Sequence, residues 1–274
     1  MNITILANRD IASNYAVNLL IAGLAGHSVT IYLSAKVGGS TKKPAALQRL
    51  GLYERALLEQ ATCGHNAAGA ITPKSHAEQG SVRCQSFTQL SRLTTGPIVE
   101  LNHINSPQGV AIIRAGQPDV ILCIRFGVIL QPQVIGLAKY GVLNLHSGLL
   151  PHYRGVMATF WALLNDEPNL GTTLHYINDK GIDTGDVVAT TEQAVAKNSC
   201  YLAQVLQLYV AGSEQILRII ATIASGQRVT GISQPAGGNY YSFPDQNALD
   251  TFHHKGLFLI DETQIMTFMA RHYD

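Results

Sequence analysis

Apolar and polar positions along this chain follow two periods, one of strands and one of helices. Ile3-Thr4-Ile5-Leu6-Ala7 is an apolar run of strand length, so residues 2–7 are predicted as a buried strand. Over residues 12–25, Ala16, Leu19, Leu20, Gly23 and Leu24 fall at helical spacing, and Gly26 follows as a stop. Val29-Thr30-Ile31-Tyr32-Leu33 is rich in β-branched residues and reads as a second strand. Strand, helix and strand in this order seed a parallel sheet, and the alternation continues. Further helices are expected at 45–60, 108–115, 132–138 and 156–164, and further strands at 98–101, 120–124, 142–146, 172–177 and 186–190. Residues 64–80 are small and polar and read as a loop. A long helix spans about 201–224, with Leu202, Val205, Leu206, Val210, Leu217, Ile220 and Ile223 on one face and Gly226 at its end. The tail 227–274, with Gly237-Gly238 and Tyr240-Tyr241-Ser242-Phe243-Pro244, reads as a small appendage. The expected fold class is therefore α/β, a mostly parallel sheet with flanking helices.

Composition narrows the function. With 274 residues, 46% hydrophobic and 14% charged, the chain has ample material for a core and is not a disordered segment. A net charge of +1 argues against clamping phosphate backbones, so nucleic acid is not the expected partner. The most apolar window, 120–138, contains Arg125, Gln131, Pro132 and Gln133 and is too broken to span a bilayer. The chain starts directly on a strand-like run without a basic segment, so no signal peptide and a cytoplasmic location are expected. Cys63, Cys84, Cys123 and Cys200 have neither zinc nor redox spacing and read as reduced thiols. The first turn, Ala7 to Ser13, contains no glycine, which argues against NAD or FAD held in the usual glycine-loop mode. Arg9 and Asn14 are either substrate contacts or parts of a solvated turn.

The chemistry concentrates in Val142-Leu143-Asn144-Leu145-His146. Side chains alternate faces along a strand, so Asn144 and His146 share one face near the carboxyl end, where open α/β sheets place ligands. Two polar side chains on a buried strand must be paired or used. Gly181-Ile182-Asp183-Thr184-Gly185 is a second piece, a tight loop carrying a carboxylate to a carboxyl edge. If Asp183 reaches His146 it favours the imidazolium and fixes its orientation; otherwise it makes an Asx turn.

Asn144-Leu145-His146, Leu149-Leu150-Pro151, Tyr153-Arg154-Gly155 and Gly181-Ile182-Asp183-Thr184-Gly185 together resemble the signature of folate-dependent formyltransferases. That family includes the methionyl-tRNA, glycinamide ribonucleotide and sugar-nucleotide N-formyltransferases. The resemblance covers residues 98–190 well and the first strand–helix–strand unit loosely. It implies a Rossmann-like sheet, 10-formyltetrahydrofolate as formyl donor, no metal, and Asn144, His146 and Asp183 as catalytic residues. It further implies that Phe126, Gly127, Val128, Ile129 and Leu130 hold the pterin from one side and Asp179 and Gly181 from the other. Gly148, Leu149, Leu150 and Pro151 would line the folate site. The implied organisation is a catalytic domain over 1–198, followed by a helix and appendage over 199–274. Ser147-Gly148 departs from the family pattern of Pro or Ala followed by Ser. The tail is short and neutral beside the tRNA-binding barrel of the methionyl-tRNA enzymes.

The expected reaction is formyl transfer to the amine of a small acceptor, an amino sugar nucleotide or an amino-acid derivative. A methionyl-tRNA formyltransferase-like enzyme and a formyltetrahydrofolate hydrolase using the same trio are the alternatives. A metal hydrolase on His146, His152 and His175 finds no helix-borne ligand motif. A non-catalytic folate binder would not need the trio. The long apolar helix and the tail are candidates for a homodimer contact. Trp161 reads as core, His253, His254 and His272 as surface residues, and Tyr240 to Phe243 as tail packing or as a stack on an acceptor ring.

Overall fold

The computed structural model describes residues 1–35, 43–63 and 83–273. Strands β1 (Asn2–Asn8), β2 (Ser28–Ser34), β3 (Val99–Glu100), β4 (Val120–Ile124) and β5 (Val142–His146) alternate with helices α1 (Ile11–Ile21), α2 (Ala45–Cys63), α3 (Phe87–Leu90), α4 (Pro107–Ala115) and α5 (Pro132–Ile135). There follow β6 (Tyr153–Gly155), α6 (Ala158–Leu164), β7 (Asn169–Tyr176), β8 (Val187–Ala194), α7 (Tyr201–Ala224), β9 (Asn239–Tyr241), α8 (Gln246–His254) and α9 (Glu262–His272). One seven-stranded sheet runs β3-β2-β1-β4-β5-β7-β8, and β6 pairs with β9 in a small second sheet. The first five strands of the large sheet are parallel, and β7 and β8 extend it antiparallel.

The period-2 pattern of β1 sorts its residues between two cores. Ile3, Ile5 and Ala7 join the larger core with α1 and α7, and Leu6 joins Val110 and Ile113 of α4 on the opposite face. Helix α1 begins where Asp10 accepts a hydrogen bond from the Ser13 N–H at 2.7 Å. It ends earlier than expected, at Ile21, because the backbone turns over residues 22–27. Helix α1 is buried nearly all round, since α7 packs along it and Phe268 and His272 of α9 meet Tyr15, and even Asn14 and Asn18 are inside. Asn14 accepts from the Tyr273 hydroxyl at 2.7 Å, and Asn18 exchanges hydrogen bonds with the Gln85 backbone. Asn14 is therefore a structural residue and not a substrate contact.

The apolar face of α7 is buried inside the chain, with Leu202, Val205, Leu206, Leu208, Tyr209, Ile216 and Ile220 in the larger core. The tail holds more regular structure than its composition suggests. Helices α8 and α9 bury Leu249, Phe252, Ile265 and Met269 in that core, and Phe252 stacks on Phe160 of α6. Tyr241 stacks against Trp161 and Tyr153, and the Trp161 indole N–H donates to the Ser242 carbonyl, so this part of the aromatic cluster packs the tail. The expected loop at 64–80 lies outside the described residues.

Gly171 lies where β7 meets β8, and a Cβ there would meet the Thr191 carbonyl and the Leu149 side chain. Gly171→Ala is expected to lower unfolding free energy by about 1–3 kcal/mol, since the backbone contact cannot yield cheaply. The urea midpoint reads this, and an unchanged midpoint contradicts it.

Candidate active site

Strand order reverses between β1 and β4, and their carboxyl ends open a crevice at this switch point. A cavity of about 450 Å³ lies there. Asn144, His146 and Asp183 all line it, as do Phe126, Gly127, Val128, Ile129, Leu130, Asp179 and Gly181. Ile129 is 53% exposed and Ile182 37% exposed, so the cavity offers apolar side chains to a ligand as well as polar ones.

Asp183 is the hub. Its residue sits in the left-handed region at φ 54°, and its side chain is only 9% exposed. Oδ2 accepts from the Gly155 N–H at 2.8 Å and lies 3.5 Å from His146 Nδ1. Oδ1 accepts from Asn144 Nδ2 at 3.3 Å and lies 3.3 Å from His175 Nε2. Burial opposes ionisation, but the two imidazoles and the Gly155 N–H outweigh it and hold the carboxyl at about 2.

The backbone assigns the ring protons. His146 Nε2 is 2.6 Å from the Tyr153 carbonyl, which can only accept, so Nε2 carries a proton and Nδ1 is the edge left for Asp183 and the cavity. His175 Nδ1 donates to the Tyr176 carbonyl at 2.9 Å in the same way. Its Nε2 accepts from Asn144 Nδ2 at 3.0 Å when the ring is neutral. His175 is a cavity residue that the sequence argument did not place beside the trio. The pairing of β7 antiparallel to β5 brings it there, setting His175 opposite Asn144. An antiparallel partner in a sheet expected to be mostly parallel could not be read from spacing.

Gly148, Leu149, Leu150 and Pro151 do not line the main cavity. Gly148 and Leu149 border a smaller hollow behind it, and Leu150 donates its N–H to the Thr173 hydroxyl. A Cβ on Gly148 would come 2.8 Å from His146 Nε2 and 2.5 Å from the Ala158 Cβ. This glycine makes room for the imidazole, which accounts physically for the departure at that position.

A second set of charges supports the Phe126–Leu130 stretch. Arg125 sits at φ 56° at the end of β4, where its Nε donates to Asp10 at 3.0 Å and its Nη2 donates to Glu54 at 2.9 Å. The N-cap of α1, the middle of α2 and the start of the cavity loop are thereby joined through one guanidinium. Burial favours the neutral acid at Asp10, yet Arg125, the Ser13 N–H and the Asn8 amide keep its carboxyl below the usual range. At Glu54 burial prevails over Arg125 and pushes the carboxyl up to about 7. Arg9 lines the cavity and pairs with Glu100 at 2.9 Å.

Residues 52–205 match the formyl transferase family. This chain belongs to that family. It is 31% identical over 134 residues to the methionyl-tRNA formyltransferase of Chlorobium chlorochromatii, a match covering 49% of this chain and 42% of that protein. The chain matches about half the length, or less, of such curated relatives. Its fold is similar to a sugar N-formyltransferase from a Shewanella species, with a TM-score of 0.55 at 16% identity over 88% of this chain and 76% of that one. It is also similar to an N-formyltransferase of Helicobacter canadensis in complex with folinic acid and dTDP-3-aminofucose. There the TM-score is 0.51 at 16% identity, over 88% of this chain and 71% of that one. Among the described residues, no helix of this formyl transferase family member is long and apolar enough to cross a membrane.

The carboxyl of Asp183 is held below its unfolded value, so its stabilisation is present above pH ~4 and lost as pH falls toward 2. The amount at stake is about 2 kcal/mol. Asp183→Asn is expected to flatten the decline of unfolding free energy between pH 4 and 2, leaving the share due to Asp10. Equal slopes for the two proteins in acid titrations of stability would contradict the geometry.

Proposed function

We propose that the chain is an N-formyltransferase that moves the formyl group of 10-formyltetrahydrofolate to the amine of a small acceptor, an amino sugar nucleotide or an amino-acid derivative. The observation that carries this reading is the meeting of Asn144, His146 and Asp183 in one cavity with the Phe126–Leu130 stretch. The folate fits the cavity's mixed character, with Phe126 to Leu130 holding the pterin on one side and Asp179 and Gly181 on the other. Gly148 to Pro151, set behind the wall, would act on the folate site only by shaping the His146 side. The bound co-substrate supplies an activated formyl carbon and a nitrogen leaving group. In this reading residues 1–198 carry the transfer chemistry, and residues 199–274 close its rear wall.

In the proposed chemistry, Asn144 Nδ2 and the protonated Nδ1 of His146 donate to the formyl oxygen as it gains negative charge. Donors held in place in this way contribute about 3–4 kcal/mol each. The 3.3 and 3.5 Å contacts to Asp183 are loose enough for both donors to turn toward an incoming oxygen. Tyr153 keeps Nε2 occupied, so the acidic edge stays at Nδ1. Asp183 orients His146 and relays the proton released by the attacking amine, directly or through water, to the folate nitrogen as the bond from that nitrogen to the formyl carbon breaks. His175 is a positioning residue, holding the Asn144 amide from the far side. Methionyl-tRNA is the second reading for the acceptor, favoured by the similarity to the Chlorobium enzyme. The net charge of +1 favours the small acceptor.

The test is release of tetrahydrofolate from 10-formyltetrahydrofolate, followed with a panel of amino sugar nucleotides, amino-acid amines and charged initiator tRNA. Asn144→Ala, His146→Ala and Asp183→Ala are each expected to lower kcat by about 10²–10³-fold with little change in KM for the folate. Near-normal turnover in any of the three overturns the assignment. Equal release without any amine replaces transfer by hydrolysis, and preferential formylation of the tRNA replaces the small acceptor.

A further inference from the structure

The chain between α7 and β9 lies along the loop that carries Asp183 and is joined to it and to the strands that flank it. The Tyr176 hydroxyl at the end of β7 donates to the Val229 carbonyl at 2.9 Å. Val187 of β8 and Ile232 exchange two backbone hydrogen bonds of 2.8 Å, so this segment pairs briefly with the outermost strand of the large sheet. The Ser233 hydroxyl donates to Asp186 Oδ1 at 2.8 Å. Gln234 Nε2 donates to the Asp183 carbonyl at 3.0 Å and to the Gly185 carbonyl at 2.7 Å. Ile232 is 79% exposed, so from Gly231 to Gln234 hydrogen bonds rather than apolar burial seat the segment. The approach is close, since a Cβ on Gly231 would stand 2.6 Å from the Asp186 Cβ.

The Gln234 contacts meet the backbone where it is least ordinary. Asp183 sits at φ 54°, in a region that a residue other than glycine keeps only where its surroundings fix it. A side-chain amide nitrogen has two N–H groups, and here one amide spans the carbonyls on both sides of Thr184. On its other side the loop is pressed against β7, where a Cβ on Gly185 would collide with the Tyr176 carbonyl. The Asp183 peptide is thus held by Gln234 while its carboxylate meets Asn144, His146 and His175. The carboxylate contacts to Asn144 and His146, at 3.3 and 3.5 Å, are long enough that a small displacement of the loop would break them.

We propose that Gln234 is a positioning residue: by fixing the peptides that flank Thr184, it sets where the Asp183 carboxylate stands against His146 and Asn144. This rests on the proposed formyl transfer and adds to it a residue from the tail, outside residues 1–198. A misplacement of about 1 Å at a reacting group costs up to about 10²-fold in rate. The folate side of the same loop does not depend on Gln234, because Asp179 closes its own turn by accepting from the Gly181 N–H at 2.6 Å. Loss of Gln234 therefore falls on turnover and not on folate binding.

Release of tetrahydrofolate from 10-formyltetrahydrofolate with the amine panel above, measured on the full chain, tests this. Gln234→Met keeps the length of the side chain without its N–H donors, and is expected to lower kcat about tenfold while KM for the folate stays within about threefold. In the Asp183→Asn background the same substitution is expected to change kcat by less than about twofold, since residues that act through one another do not add. A loop released from Gln234 also loosens the contacts that hold the Asp183 carboxyl low against burial. The fall of unfolding free energy between about pH 4 and 2 is then expected to flatten toward that of Asp183→Asn. Equal thermal midpoints identify folded variants, and Gln234→Ala serves if Gln234→Met is not folded. Wild-type kcat in the folded variant overturns the proposal, as does a full tenfold loss in the Asp183→Asn background. A raised KM with kcat kept also overturns it, by assigning Gln234 to binding. If the wild-type chain formylates no amine, the transfer reading fails, and the acid slope still decides whether Gln234 positions Asp183.

Discussion

A carboxylate withdrawn from water needs polar neighbours, and Asp183 has four from three strands. The amide of Asn144 and the imidazole of His146 come from β5, that of His175 from β7, and the N–H of Gly155 from β6. None of these strands could shift by one residue without turning its donor to the opposite face. The requirement that one buried anion be compensated therefore fixes the register of β5 against β7 and the position of the short β6 strand. The same anion gives the cavity its polarity, since two rings and an amide are oriented by it before any ligand arrives.

The opposite wall is arranged by a cation in the complementary way. Arg125 leaves β4 in a left-handed conformation and is gripped by carboxylates from the start of α1 and from α2. The loop that follows, Phe126 to Leu130, is thus anchored at its first turn, while Gly127 donates its N–H to the Ser34 hydroxyl at the end of β2. The ends of β1, β2 and β4 and the flank of α2 are pinned to one another around the crevice. The apolar sheet beneath supplies a rigid floor, buried on both faces.

Much of this was legible in the chain. The strands 2–7, 29–33, 120–124 and 142–146 announce themselves by apolar runs bounded by turn residues, and each lies in the sheet as expected. Asn144 and His146 could be placed on one face because a strand repeats every two residues. What stayed hidden depends on long-range pairing. His175 joins the site only because β7 runs antiparallel beside β5, and the Asp10–Arg125–Glu54 contacts link residues far apart in sequence. The short strands β6 and β9 have no periodicity of their own to read. Helices α8 and α9 carry few apolar residues each and make sense only against the core that they cover.

The small β6–β9 sheet joins Tyr153–Gly155 to Asn239–Tyr241 by parallel pairing, with Gly155 at φ 97° tucked against the Tyr241 carbonyl. Gly155 thus has a neighbour on each side, the carboxylate of the site and a strand from near the other end of the chain. The tail cannot be treated as an interchangeable module. A chimera whose crossover point falls between these two strands would mismatch this seam, and a viable graft would have to exchange both strands as a unit.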